Sequence, residues 1–340
     1  MVTATSSAGR GETYSGRRQV VTVLAGSWVV LGVFIDGWAH FNRPSLETFF
    51  TPWHGLLYSG AAALFGWLLL PSPSVARRDR VWAVAAAAIF TAGGLGDLAW
   101  HQTFGVETGI DALVSPTHLL LVLGGLLGLT APLRESRQQR LEGFRAALPV
   151  LGSVTLAAAL SAFFLLYVSP FAADAPTMAL TTIPEGAPGH EAAEAPAVAG
   201  LAAYLVSTAV VVIPVLLLRI RGVLPFGAIT VLVTSVATLS AAVTQFEQPA
   251  APIAALIAGL VADAVVRSGR NLPASTQLPA IGAAVPLLLW GAQLLTLAVT
   301  TGVRWPAELL IGVVLLSTMF GAVLGLLAVP RVRSGRDSTR

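Results

Sequence analysis

The chain has 340 residues, 55% of them hydrophobic, 11% charged and none of them cysteine, with a mean hydropathy of +0.77. Soluble domains carry about 25% charged residues, so this composition excludes a water-solvated globule and, by the same shortage of charge, a disordered chain. The absence of cysteine removes disulfides, thiolate metal sites, iron–sulfur clusters and cysteine nucleophiles.

A hydrocarbon core requires about 20 apolar residues per helix. Ten such spans follow one another: Val20–Ala39, Pro52–Leu70, Val81–Trp100, Pro116–Leu133, Ala147–Ser169, Ala197–Leu218, Val223–Val243, Pro252–Val266, Ala280–Thr300 and Pro306–Val329. The eighth is short and contains Asp263, which makes it the weakest of the ten. The first ends in Asp36 and His40 rather than in a small-residue cleavage site, so it reads as a retained span and not a signal peptide.

All twenty basic residues are arginine, and eighteen fall on one side of a ten-span chain, leaving Arg43 and Arg304 on the other. The positive-inside rule then places both termini in the cytoplasm. The expected fold is all-α: a polytopic inner (plasma) membrane protein in lipid contact, with a duplicated N-terminal helical hairpin. Residues 1–18 and 331–340 are expected as cytoplasmic tails. Residues 19–133 hold spans one to four, and 134–330 hold spans five to ten around an extracytoplasmic loop, 170–196. The arginines are scattered over short loops, which gives no nucleic-acid surface. No phosphate-binding glycine loop is present.

Four of the five histidines belong to two similar segments. The first runs Asp36-Gly-Trp-Ala-His40, then Glu47-Thr-Phe-Phe-Thr-Pro-Trp-His54; the second runs Asp97-Leu-Ala-Trp-His101, then Glu107-Thr108, then Ser115-Pro-Thr-His118. An Asp and a His four residues apart share one helix face. Each second histidine lies two residues after a proline suited to the first turn of the returning helix. Ionisable residues at membrane depth are functional hypotheses by default. Two imidazoles and a carboxylate suit copper, zinc, iron or manganese; a proton relay and a purely structural pairing are the alternative readings. The fifth histidine, His190, is expected to be solvated in the acidic loop.

At these residues the sequence resembles the C subunit of the copper membrane monooxygenases, the particulate methane and ammonia monooxygenase family. The likeness rests on the Asp-x3-His pair followed by the acidic-Thr-x-Phe-Thr-Pro-x-His run, here Glu47 to His54, and on Asp97-Leu-Ala-Trp-His101. It covers roughly residues 36–120, with the motif duplicated and the gap from His40 to His54 one residue longer than in the family. The resemblance implies one or two copper ions held by Asp36, His40 and His54 and by Asp97, His101 and His118, near the extracytoplasmic face, iron or zinc being the other candidates. It implies O₂-dependent oxidation of a small apolar substrate. From their place between the histidines, Glu47 and Glu107 are expected as fourth ligands, as acceptors for an imidazole N–H or, in such an enzyme, as the groups that move protons. A homo-oligomer and partner subunits are both compatible with such an activity. Two other functions fit the residues: a metal transporter or delivery protein, with Asp263 marking an exit, and a proton or ion conductor.

Outside this region ionisable groups are sparse. Glu247 lies between Gln245 and Gln248 at the end of span seven, Gln293 is inside span nine, and Glu308 opens span ten. Gly124 with Gly128, and Gly321 with Gly325, have the spacing that lets helices approach closely.

Overall fold

The computed structural model describes residues 6–43, 49–105, 109–136, 144–173 and 175–330, with side chains from residue 16 onward. Among them there is helix and no strand. Ten helices are ten residues or longer: α1 Ser6–Asn42, α2 Pro52–Leu69, α3 Arg77–Phe104, α4 Pro116–Leu129, α5 Phe144–Phe164, α6 His190–Ile220, α7 Ala228–Val243, α8 Ala251–Ser268, α9 Ala274–Thr300 and α10 Ala307–Leu327. Seven of them are long and apolar enough to cross a membrane, namely α1 (over Gly16–Asn42), α3, α5, α6, α8, α9 and α10. The chain is a multi-pass helical membrane protein.

The three helices outside that set stop for local reasons. α2 is 18 residues long but carries His54, Tyr58 and Ser59 in its first half. α4 is 14 residues, about 21 Å at 1.5 Å per residue. It closes at Thr130, whose hydroxyl donates to the Leu126 carbonyl at 2.6 Å, and a short separate helix, Ala131–Glu135, follows. α7 starts at Ala228 rather than at Val223 because Pro225 precedes it and Gly227 adopts a left-handed φ of 92°. The eighth span, the weakest in sequence, is one of the seven. Asp263 fits inside it because its carboxylate caps α7, accepting the backbone N–H of Ile229 at 3.2 Å and of Thr230 at 3.0 Å. The Thr230 hydroxyl donates to it as well, at 2.6 Å.

Other expectations need correction. The 170–196 loop is shorter, since α6 begins at His190 and runs through Pro196. Glu191 in its first turn suits the positive end of the helix dipole. His190 is half-buried and donates its Nδ1–H to the Ile183 carbonyl at 2.8 Å, so it is not simply solvated. The first eighteen residues are not all tail: α1 continues through Arg17 and Arg18, and Arg18 is only 5% exposed. Its guanidinium donates to the Leu68 carbonyl at 3.0 Å, faces the Trp67 ring and lies 3.8 Å from Glu135. A buried charge is tolerated only when paired and hydrogen-bonded in this way.

Two apolar cores lie along the chain. One gathers Val29, Phe34, Leu64, Phe90 and Phe163 from α1 to α5; the other gathers Val154, Tyr204, Val211, Ile229 and Trp290 from α5 to α9. α5 is the shared wall. The most extensive pairings join α1 to α2, α3 to α4, α7 to α8 and α9 to α10. The α1–α2 and α3–α4 pairs close on glycine in the same register. Gly32 and Gly93, each four residues before the aspartate, lie against the backbones of Leu57 and Leu121, each three residues after the second histidine. Gly60 and Gly124, each six residues after that histidine, lie against Val29 and Phe90, each seven before the aspartate.

Candidate metal centre

The last two turns of α1 and α3 present each aspartate with its first histidine, and the first turns of α2 and α4 bring the second histidines back over them. The returning helices start where they do because a hydroxyl residue caps each. Thr51 accepts the His54 N–H at 3.1 Å and Ser115 accepts the His118 N–H at 3.4 Å, with proline in the next position. This cap places a histidine at the third helical position, its ring over the end of the partner helix.

Each group of three converges. Asp36 Oδ2 lies 3.7 Å from His40 Nε2 and 3.5 Å from His54 Nε2. Asp97 Oδ1 lies 3.5 Å from His101 Nε2 and 3.2 Å from His118 Nε2. In each triad one donor atom per residue falls within 4.8 Å of the others. Two donors bound to one ion at about 2.0–2.2 Å with tetrahedral angles stand about 3.3–3.6 Å apart; the separations of 3.5 Å fall in that range, and those of 3.7 and 3.2 Å lie just outside it.

Ring orientation carries the chemistry further. His54 donates its Nδ1–H to the Phe49 carbonyl at 2.7 Å, and His101 donates its Nδ1–H to the Gly105 carbonyl at 3.2 Å. A carbonyl oxygen only accepts, so both rings carry the proton on Nδ1, and in the neutral ring Nε2 is a bare lone pair. Those lone pairs face a carboxylate. Two electron-rich groups at this distance repel unless a cation, a metal ion or a proton, lies between them. The third outward anchor is Ser115, whose hydroxyl pairs with His118 Nδ1 at 2.9 Å. A hydrogen bond on the far nitrogen is how metal-binding imidazoles are held. The other oxygens of the pair, Asp36 Oδ1 and Asp97 Oδ2, are buried without a hydrogen bond.

The two triads are neighbours. The rings of His40, His54, His101 and His118 form one row with successive centroid separations of 5.7, 6.3 and 6.2 Å. Phe49 stacks on His54 at 4.9 Å and also contacts His101 at 5.9 Å. Tyr58 sits 6.2 Å from His54, with its buried hydroxyl in the reach of Asp97. Phe49 and Tyr58 also border an apolar cavity of about 360 Å³ between α2 and α3, lined further by Phe65, Phe90, Leu95 and Leu98.

All six residues expected as metal ligands are therefore brought together, in two groups. Glu47 and Glu107, expected to move protons, lie outside the described residues. Glu247 is not in the centre, while its neighbour Gln245 donates to Asn42 at the end of α1. Gln293 donates to the Pro170 carbonyl and is structural. Sequence reasoning missed Phe49, Tyr58 and Thr117, the last donating to Asp97 Oδ1 at 3.2 Å. Tyr58 had a signal, since it lies four residues after His54 and so shares its face. Asp263, considered as a metal exit, spends both carboxylate oxygens on capping α7. No protein-family model, no curated protein and no solved structure matches the chain.

Proposed function

We propose that the protein is an inner-membrane metalloprotein with a duplicated Asp/His/His centre, copper-dependent and oxidising a small apolar substrate with O₂. The observation that carries this reading is the pair of carboxylates each faced by imidazole Nε2 atoms at metal-ligand separations, with His54 and His101 held in the tautomer that leaves Nε2 bare. The equal offsets of aspartate, histidine and close-packed glycine in the two hairpins support a duplication. The arginine distribution supports ten passes with both termini cytoplasmic and the centre at the extracytoplasmic end.

The donor set, imidazole nitrogen and carboxylate oxygen without sulfur, is one that copper, zinc and iron all accept. Asp36, His40 and His54 would hold one ion, and Asp97, His101 and His118 a second. A bound copper ion supplies the redox chemistry toward O₂. The chain's own part is to fix the rings through Phe49, Gly105 and Ser115, and to exclude water with the packed rings of Phe49 and Tyr58. The cavity of about 360 Å³ beside them is lined mainly by carbon and is large enough for a small apolar molecule. Glu47 and Glu107 are the proton carriers in this reading.

The test is elemental mass spectrometry of the detergent-purified protein beside a variant with His40, His54, His101 and His118 all replaced by alanine. One or two copper ions per chain, lost in the variant, support the reading and direct the next assay to O₂ consumption. Zinc or iron at that stoichiometry keeps the centre and removes copper. Absence of metal in both proteins, after reconstitution with each ion, overturns the metal reading in favour of a proton relay.

A further inference from the structure

A second cavity, of about 300 Å³, is lined by residues from the end of α6, the α6–α7 turn, the end of α8 and the start of α9. Its wall carries Arg219, Arg267 and Arg270, with Asp263 as the one carboxylate. Three positive charges against one negative leave a net charge of +2 on the lining. Asp263 makes no ion pair with these arginines. It is 3% exposed, and both of its oxygens are taken by Ile229 and Thr230 at the start of α7. Among the described residues none of the three arginines is within ion-pair distance of a carboxylate.

Arg219 is also held in place by a neutral group. Its Nε–H donates to Gln277 Oε1 at 2.8 Å, and its Nη2 donates to the same oxygen. Gln277 is 3% exposed and is itself anchored, donating its Nε2–H to the Gly269 carbonyl at 3.2 Å. A guanidinium has five N–H donors; two go to the amide oxygen and three are left. A carboxylate in place of Gln277 would have cancelled the charge while orienting the guanidinium. The amide orients it and leaves the charge for something else. The lining also carries apolar groups, Leu224, Pro225, Val266 and the half-exposed Phe226.

We propose that this cavity binds a phosphate group, carried by an anionic lipid headgroup of the adjoining leaflet or by a free phosphate. Guanidinium forks match phosphate oxygens bidentately, and basic pockets between membrane helices on the arginine-rich face are where headgroups are held. The apolar groups of the lining accommodate the glycerol end of a lipid. This site is separate from the histidine centre and stands whether or not that centre holds metal.

The experiment measures binding of short-chain phosphatidylglycerol, short-chain phosphatidylcholine and inorganic phosphate to the full-length protein in detergent. The variants are Arg267→Gln/Arg270→Gln, both at exposed positions, Arg270→Gln alone, and Arg304→Gln as a control away from the cavity. Phosphatidylglycerol is expected to bind, with affinity reduced about tenfold or more in the double variant, the order of a lost charge-assisted pair, and unchanged in the control. Binding of phosphatidylglycerol alone identifies a headgroup as the source. Binding of inorganic phosphate that displaces the lipid identifies the free anion. Equal affinity for phosphatidylcholine, no binding of either anion, or wild-type affinity in both arginine variants overturns the proposal.

Discussion

The two histidine triads share a frame and differ in what touches the carboxylate. Both place the aspartate at the end of one helix, cap the next helix with a hydroxyl, and return a histidine from its third position. The residue before that histidine is Trp53 in the first triad and Thr117 in the second. Trp53 turns away to pack edge-on against Trp38 at 6.2 Å. Thr117 turns inward and donates to Asp97 Oδ1, the same oxygen that faces both imidazoles. Asp97 is also the drier group, its side chain 1% exposed against 14% for Asp36. A hydrogen bond on a ligating oxygen lowers its electron density, so two centres built on one plan are expected to bind unequally.

The strongest way to break this comparison is to remove one carboxylate at a time. Asp97→Ala should leave the first triad loaded and Asp36→Ala the second, each variant keeping about half the metal by elemental analysis; loss of all metal from either would show that the adjacent triads form one indivisible site. Next in size is the ring anchor. Ser115→Ala removes the partner of His118 Nδ1 and should weaken metal binding about 10–100-fold. Thr51→Ala leaves His54 anchored to the Phe49 carbonyl, so competition titration with a chelator should find its affinity nearly unchanged.

Packing comes third. A Cβ at Gly124 would lie 2.6 Å from the backbone nitrogen of Phe90, whereas at Gly60 it would lie 2.8 Å from the Trp28 side chain and 2.9 Å from the backbone nitrogen of Val29. Both alanine variants should lower stability by about 1–3 kcal/mol, Gly124→Ala more, because its backbone contact is the closer one; thermal midpoints in detergent rank them. The smallest effect is at Thr117. Thr117→Val returns electron density to Asp97 and should tighten the second triad by about fivefold, the scale of one net hydrogen bond. A weakened site would mean instead that Thr117 is needed to aim the carboxylate.

The parts of this protein legible in its sequence are those governed by local spacing. A four-residue interval puts Asp36 beside His40 whatever the rest of the chain does, and a proline after a hydroxyl residue starts a helix wherever it occurs. Helix order followed from hydropathy for the same reason. The approach of His54 to His101 has no such local cause, since it depends on how α2 docks on α3 across 47 residues of chain. The glycines at 32, 60, 93 and 124 repeat in register, but a glycine reveals a close approach only when the facing helix is known. Arg18 looked like a tail residue because burial of a guanidinium depends on distant partners, Leu68 and Glu135. Asp263 looked like a functional charge until the N-terminus of α7 was found against it.

The anchoring of Arg18 makes α1 a ruler. Eighteen residues separate Arg18 from Asp36, about 27 Å of helix at 1.5 Å per residue, close to the roughly 30 Å of a bilayer's hydrocarbon. With the guanidinium held by Leu68, Trp67 and Glu135, α1 cannot slide along its neighbours without breaking these contacts. A bilayer thicker or thinner than this stretch is then met by tilt of the helices together or by deformation of the lipid, and not by a shift of α1 alone.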